Sequence, residues 1–242
     1  NFLYLYLTKA EWKITYNYGL VFDMLNEYKI RHLNINDTED MYSCIMRSYA
    51  SMKNKEYFIH PTKEYLFEIL CGKGKSYGTY LDNKLIGCAS VVYADKAITP
   101  LLEYQKIYND NSKIIQFEHG VILPEYQGNN LLEKMLKHIC EELYFLGYRY
   151  IISTVHPLNF PSLVTAFKIH QRAICLSKFY NKNIRYIMIG KIKSIDKAKF
   201  TDYKYLYPDQ FSEISSILEK GYVAFNFDRR MRKLVLGIEN ET

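Results

Sequence analysis

The chain has 242 residues, enough for one substantial domain or one domain with an appendage. Apolar residues at 48% and charged residues at 24% exclude global disorder and allow a packed core. With 32 Lys and Arg against 26 Asp and Glu, the formal charge of +6 suits an anionic ligand but is too diffuse for a nucleic-acid surface, so no nucleic acid is expected as a partner.

The five cysteines are widely spaced in apolar runs, without a CxxC pair or a His-rich cluster. Buried, reduced thiols in a cytoplasmic protein are therefore expected, with no metal and no disulfide framework. No apolar run is long enough to cross a bilayer, and no membrane partner is expected. Residues 1–27 read as an N-terminal extension, of which 1–23, ahead of Met24, are read as incidental to function.

In chain order, residues 28–33 alternate and form a strand. Asp37 is placed to cap a helix with Met41, Ile45 and Tyr49 on one face. Thr62 caps a second helix, whose stripe is Tyr65, Leu66, Ile69 and Leu70. Gly72-Lys73-Gly74-Lys75 stops it; this stretch lacks phosphate-loop spacing, follows a helix, and reads as a plain loop. Residues 77–81 and 85–93 pair as a hairpin about Asp82-Asn83-Lys84. Residues 95–113 make a long connection with a candidate short helix over 101–108.

Phe117 to Leu123 is a strand that Pro124 ends. From Leu131, apolar pairs recur four residues apart (Leu131/Leu132, Met135/Leu136, Ile139/Cys140, Leu143/Tyr144), giving an amphipathic helix that ends near Gly147. Gly128 turns the corner between strand and helix. A helix starting at a glycine turn offers unpaired N–H groups and its positive dipole end to an anion, most often phosphate. The alternative is an ordinary strand–helix connection that needed one glycine.

Residues 150–155 read as a strand covered on both faces. His156-Pro157-Leu158-Asn159-Phe160-Pro161-Ser162 leads into a helix carrying Leu163, Ala166, Phe167 and His170, with Asn159 at its cap. Residues 173–180 and 184–192 form a further hairpin. The tail holds a helix over 209–220, stopped by Gly221, and a hairpin of residues 222–227 and 232–238. It is expected to pack on the domain or on a partner chain. Arg229, Arg230, Arg232 and Lys233 gather beside Asp228 in its turn, read as a solvated turn rather than a phosphate patch.

Ile122-Leu123-Pro124-Glu125-Tyr126-Gln127-Gly128 resembles the acyl-CoA loop of the GNAT N-acetyltransferase family, whose motif is Gln or Arg, two residues, Gly, one residue, Gly or Ala. Gln127 takes the first position and Gly128 the place beside it, while Asn130 and Leu132 stand where the two small residues belong. The order β α α β β β α β α β β is likewise similar to that family's fold. The resemblance implies an α/β chain with a mixed sheet: a GNAT acyltransferase domain over residues 28–193 and a C-terminal helix–hairpin appendage over residues 194–242. It further implies acetyl-CoA as cofactor and a small-molecule amine as acceptor, with direct transfer in a ternary complex.

By the same resemblance, Ile122 and Leu123 lend backbone groups to the pantetheine arm and an N–H to the developing oxyanion. The N–H groups of Gln127, Gly128, Asn129, Asn130, Leu131 and Leu132 hold the pyrophosphate, with Asn129 and Asn130 tolerating the turn that the family builds with glycine. Asn159, with Ser162, bonds the pantetheine arm. Glu118, nine residues before Gln127, matches the catalytic glutamate of the family's polyamine acetyltransferases. It is the candidate base for an amine whose pKa is about 10. Strand alternation turns His119 to the opposite face.

The family's frequent general acid, a tyrosine seven residues after that asparagine, is here Ala166, and Tyr180 is the candidate substitute. A non-catalytic GNAT-like module that binds CoA or a partner is the alternative, favoured by Ala166, Asn130 and Leu132. Exposed sheet edges add a homodimer to the expectations.

Overall fold

The computed structural model describes residues 28–93, 113–179, 183–192 and 198–240. Strand β1 (Lys29–Leu33) leads through a short turn into helix α1 (Thr38–Ser51). Asp37 precedes α1 without capping it; its carboxylate accepts the Asn34 N–H at 2.8 Å and pairs with Arg31 at 2.8 Å. Thr62 does cap α2 (Lys63–Glu68), its Oγ1 accepting the Tyr65 N–H at 3.2 Å. A wider turn, Ile69–Lys73, includes Gly72 at a φ of 107° and passes directly into β2 (Gly74–Leu81). The glycine–lysine stretch thus ends one element and starts the next. Asp82 and Asn83, both left-handed with φ of 49° and 62°, make the hairpin to β3 (Lys84–Tyr93).

Strand β4 (Lys113–Ile122) starts earlier than the sequence reading. The connection before it, with its candidate helix, lies outside the described residues. Then come α3 (Leu131–Phe145), β5 (Tyr148–Val155), α4 (Phe160–Lys168), β6 (Gln171–Phe179) and β7 (Asn183–Lys191). Gly147 at φ 88° follows α3, and His170 at φ 62° follows α4, a left-handed place where a histidine stands instead of glycine. The C-terminal segment adds β8 (Phe200–Leu206), α5 (Phe211–Glu219), β9 (Val223–Asp228) and β10 (Lys233–Glu239). The sequence reading omits β8, which lacks a clean apolar alternation and leaves Tyr203 and Tyr205 exposed.

These strands form one sheet in the order β1-β2-β3-β4-β5-β7-β6-β9-β10-β8. Among the described pairs only β4 and β5 run parallel. Helix α3 covers one face, packing Met135, Ile139 and Leu143 on Tyr77, Ile86, Val91 and Ile115. Helices α1 and α2 cover the other with Met41, Ile45 and Leu66 against Leu33, Cys88, Val121 and Leu123. Ile214 and Leu218 of α5 and Leu234 of β10 share a core with Leu163 and Phe167 of α4. The C-terminal segment therefore packs on the rest of the chain, and β9 joins the sheet at Ala173↔Ala224.

Ile139 is fully buried in the α3 core. Ile139→Ala is expected to cost about 2–5 kcal/mol, read as a lower denaturant midpoint at unchanged m-value. Among the cysteines Cys71 is exposed, against the expectation of uniform burial. No helix of the described residues is long and apolar enough to cross a membrane.

Candidate functional site

Strands β4 and β5 pair only from Lys113↔Tyr148 to Gln116↔Ile152. Beyond that point Phe117 and His119 to Ile122 stay paired with β3, and Ser153 to Val155 with β7, so the sheet opens between them. The Leu123 N–H donates to the Ile86 carbonyl at 2.8 Å and so faces β3. Alternation along the strand turns the N–H groups of Ile122 and Gly120 the other way, to the open edge. Leu123 itself is a core residue, 1% exposed. The edge N–H groups are those of Gly120 and Ile122, rather than Ile122 and Leu123.

A groove of about 700 Å³ lies on one side of this opening. It is lined by Ile122, Gln127, Gly128, Asn130, Leu131 and Leu132, and across from them by Asn159 and Ser162. Gly128 has a φ of 86°, and a Cβ there would meet nothing within 4 Å. Asn130 takes the left-handed position at φ 55° just before α3, as its residue type allows, and makes no side-chain cap. The Gln127 side chain folds back, its Nε2 donating to the Ile122 carbonyl at 2.9 Å. Among the described residues, the first N–H of α3 with a main-chain acceptor outside the helix is that of Lys134, on the Asn130 carbonyl at 3.0 Å. The N–H groups ahead of it, from Gly128 on, are left for solvent or a ligand. Asn129 turns away, its Nδ2 donating to the Tyr126 carbonyl at 3.3 Å. Leu132 points toward Gly120 and lines the groove.

The groove continues into a chamber of about 130 Å³ bounded by Phe117–Gly120, Ser153–His156 and the segment Tyr57–Ile59. Gly120, Leu132, Asn159 and Ser162 line both spaces. Glu118 is on its wall, where Oε2 accepts the Gln116 Nε2–H at 2.6 Å and Oε1 the Tyr65 hydroxyl at 3.3 Å. Burial lifts the Glu118 carboxyl above the usual carboxylate range, against those two hydrogen bonds and the charge of Lys73.

The register skips Glu118: Ser90 pairs with His119 and Val91 with Phe117, so a β-bulge sits at the glutamate. The bulge breaks the alternation. His119 stands in one cross-strand row with Leu33, Ser76 and Ser90, the face that α1 and α2 cover, and Glu118 bonds Tyr65 of α2 on that same face. The two residues therefore share a face, contrary to the strand-alternation expectation. Among the described residues both His119 ring nitrogens lack partners, and burial pushes its pKa down to about 3.

The chamber roof was not anticipated from the sequence. Arg185 of β7 donates to the carbonyls of Tyr57 at 2.9 Å and Glu56 at 2.8 Å, tying the α1–α2 connection across the opening. The Tyr57 ring stacks on His156 at 4.4 Å. Ala166, 4% exposed, borders the chamber at the position of the expected tyrosine. Tyr180 lies outside the described residues. A glycine inside a strand, Gly120, was the one available signal for a close approach here; nothing local marks Arg185 or Tyr57.

No family model matches the chain, and no curated protein matches it. Solved structures do. Arabidopsis thaliana NAA60 in complex with acetyl-CoA is similar at a TM-score of 0.55 and 12% identity, over 69% of this chain and 100% of that one. The aminoglycoside acetyltransferase AAC(6')-Ib in complex with coenzyme A and kanamycin gives 0.53 and 16%, over 68% and 95%. An acetyltransferase of the GNAT family from Streptococcus pneumoniae gives 0.51 and 17%, over 69% and 99%. At such identities the likeness is one of architecture, and together with the opening between β4 and β5 it identifies the chain as having the GNAT acetyltransferase fold.

Proposed function

We propose that the chain is an N-acetyltransferase that moves an acetyl group from acetyl-CoA to a primary amine of a small molecule. The observation that carries this reading is the opening between β4 and β5. It joins a groove edged by unpaired N–H groups to a chamber that holds a buried carboxylate. Neighbours of the same fold hold acetyl-CoA or coenzyme A, and one of them kanamycin, which agrees with it.

The residues present fit the cofactor. A groove of about 700 Å³ is of ordinary size for one. The N–H groups around Gly128 and Asn130, with the positive end of α3, suit a pyrophosphate. Asn159 and Ser162, across the groove from that corner, would bond the pantetheine arm, and Gly120 lines the passage between groove and chamber.

Acetyl-CoA brings the thioester. Glu118 takes a proton from the acceptor's ammonium, directly or through a water, and frees the nitrogen to attack the carbonyl carbon. A C–N bond would form as the C–S bond breaks, the nitrogen's second proton passing to the departing thiolate or to water, and the N–H groups of Gly120 and Ile122 would face the charge gathering on the carbonyl oxygen. The thiol, with a pKa of about 8.5, leaves as the thiolate without help, which accommodates Ala166. The chamber, about 130 Å³ against about 700 Å³ for the groove, is the smaller of the two spaces and would take the amine-bearing end of the acceptor. Both spaces open on the same gap, which favours direct transfer in a ternary complex.

Ala166 favours a second reading, a CoA-binding module without catalysis. Titration calorimetry with CoA and acetyl-CoA, followed by thiol release over an amine panel, separates the readings. Affinity on the order of micromolar with thiol release supports the enzyme. Binding with no release for any amine leaves the module, and no heat with either ligand removes both.

A further inference from the structure

The turn between β9 and β10 reaches the groove. Arg229 at this turn lines it together with Pro161, Thr165 and Lys168 of α4 and the Gly128–Asn130 corner. The turn is fixed in two ways. Phe227 stacks on Phe160, the first residue of α4, with ring centroids 5.0 Å apart and planes at 14°. The Asp228 carboxylate accepts the N–H groups of Arg230 at 2.8 Å and Met231 at 2.9 Å. Beneath, β9 and β10 share the core of α4 through Leu163, Phe167, Ala224 and Leu234. The position of Arg229 is thus set by packing, although the side chain itself is exposed.

The charges of the groove explain what such a side chain does there. Its ionic lining is Lys53, Glu133, Lys168 and Arg229. Glu133 is held by Lys137 at 2.8 Å and Lys168 at 2.6 Å, so its charge is neutralised and Lys168 is already engaged in an ion pair. Lys53 and Arg229 have no ion pair among the described residues. A guanidinium presents a planar fork of donors that matches phosphate geometry, and this one shares a groove with a row of unpaired N–H groups.

We propose that Arg229 binds a phosphate of the cofactor's nucleotide half, so that the C-terminal segment completes the cofactor site. The proposal rests on the acetyl-CoA reading above. Two sources offer the same chemistry, the pyrophosphate and the 3′-phosphate.

The test is calorimetry at low salt on the full chain, with CoA, 3′-dephospho-CoA and pantetheine as probes. Arg229→Gln is expected to weaken CoA roughly tenfold, at the low end for a hydrogen bond to a charged group as suits an exposed side chain, and to flatten the salt dependence. Arg229→Lys should recover part of the loss. Arg230→Gln, whose residue does not line the groove, should bind CoA as wild type does. Pantetheine, lacking phosphates, should not distinguish wild type from Arg229→Gln. If the loss vanishes with 3′-dephospho-CoA, Arg229 holds the 3′-phosphate; if it persists, Arg229 holds the pyrophosphate. Equal CoA affinity of wild type and Arg229→Gln, or an equal loss with pantetheine, overturns the proposal. A wild type that binds no CoA overturns the underlying cofactor reading instead.

Discussion

Glu118→Gln is expected to lower turnover by roughly 10²–10⁴-fold while CoA affinity stays that of wild type. The carboxylate lines the chamber proposed for the acceptor, away from the corner at Gly128 and Asn130. Its loss removes a proton acceptor and leaves the cofactor's contacts in place. The amide oxygen can still accept from the Gln116 Nε2–H, while the amide NH2 takes the place of Oε1 and donates to the Tyr65 hydroxyl, so both contacts survive with one of them reversed. The pH dependence gives an independent signature. Burial raises the Glu118 pKa, and the ionised form is the base, so kcat/KM should fall on acidification through a pKa above the ordinary carboxylate value. His119, neutral down to about 3, adds no limb near neutrality.

Stability has the opposite sign. Because the folded-state pKa is raised, ionising Glu118 costs stability as pH climbs from the unfolded value of about 4.3 through the raised one. At neutral pH the glutamine variant should therefore unfold no earlier than wild type. A variant with unimpaired turnover, or one retaining the acid limb, would take the base role away from Glu118.

The features legible in the sequence were those set by neighbours along the chain. The apolar pairs from Leu131 to Tyr144 placed α3, and the residue types of Asp82 and Asn83 placed a hairpin whose two left-handed residues they tolerate. Asn130, read as a stand-in for glycine, does take the left-handed position at the corner. What escaped depended on partners distant in sequence. The bulge at Glu118 exists only in the register of β4 against β3, and it put His119 on the face that alternation denied it. Arg185 matters because Tyr57 and Glu56 are folded across from it. The turn at Arg229 read as solvated because its charges lie beside Asp228 in sequence. The stack of Phe227 on Phe160 that carries it to the groove is a long-range contact. Leu123 matched a family position by sequence, but the strand's hydrogen-bond phase turned its N–H toward Ile86.

Gly120→Leu is expected to weaken CoA binding at least roughly 100-fold, about 2.7 kcal/mol, because Gly120 is where groove and chamber meet. A Cβ at this position would lie 2.9 Å from Leu132 Cδ1 and 2.9 Å from Phe117 Cζ, both ends of side chains that can turn aside. The backbone there is not left-handed, so the cost to folding is that of overpacking, about 1–3 kcal/mol. The chain should stay folded with its passage filled. Gly120→Ala adds only the Cβ and should fall between, with a smaller loss of affinity and a smaller shift in unfolding midpoint. Calorimetry and thermal unfolding on the same preparations read both quantities. Loss of CoA binding that grows from alanine to leucine, in variants that still unfold cooperatively, places the cofactor's arm beside Gly120. A folded leucine variant that binds CoA like wild type would put the cofactor somewhere other than the opening between β4 and β5, and the roles of Ile122, Asn159 and Glu118 would fall with it.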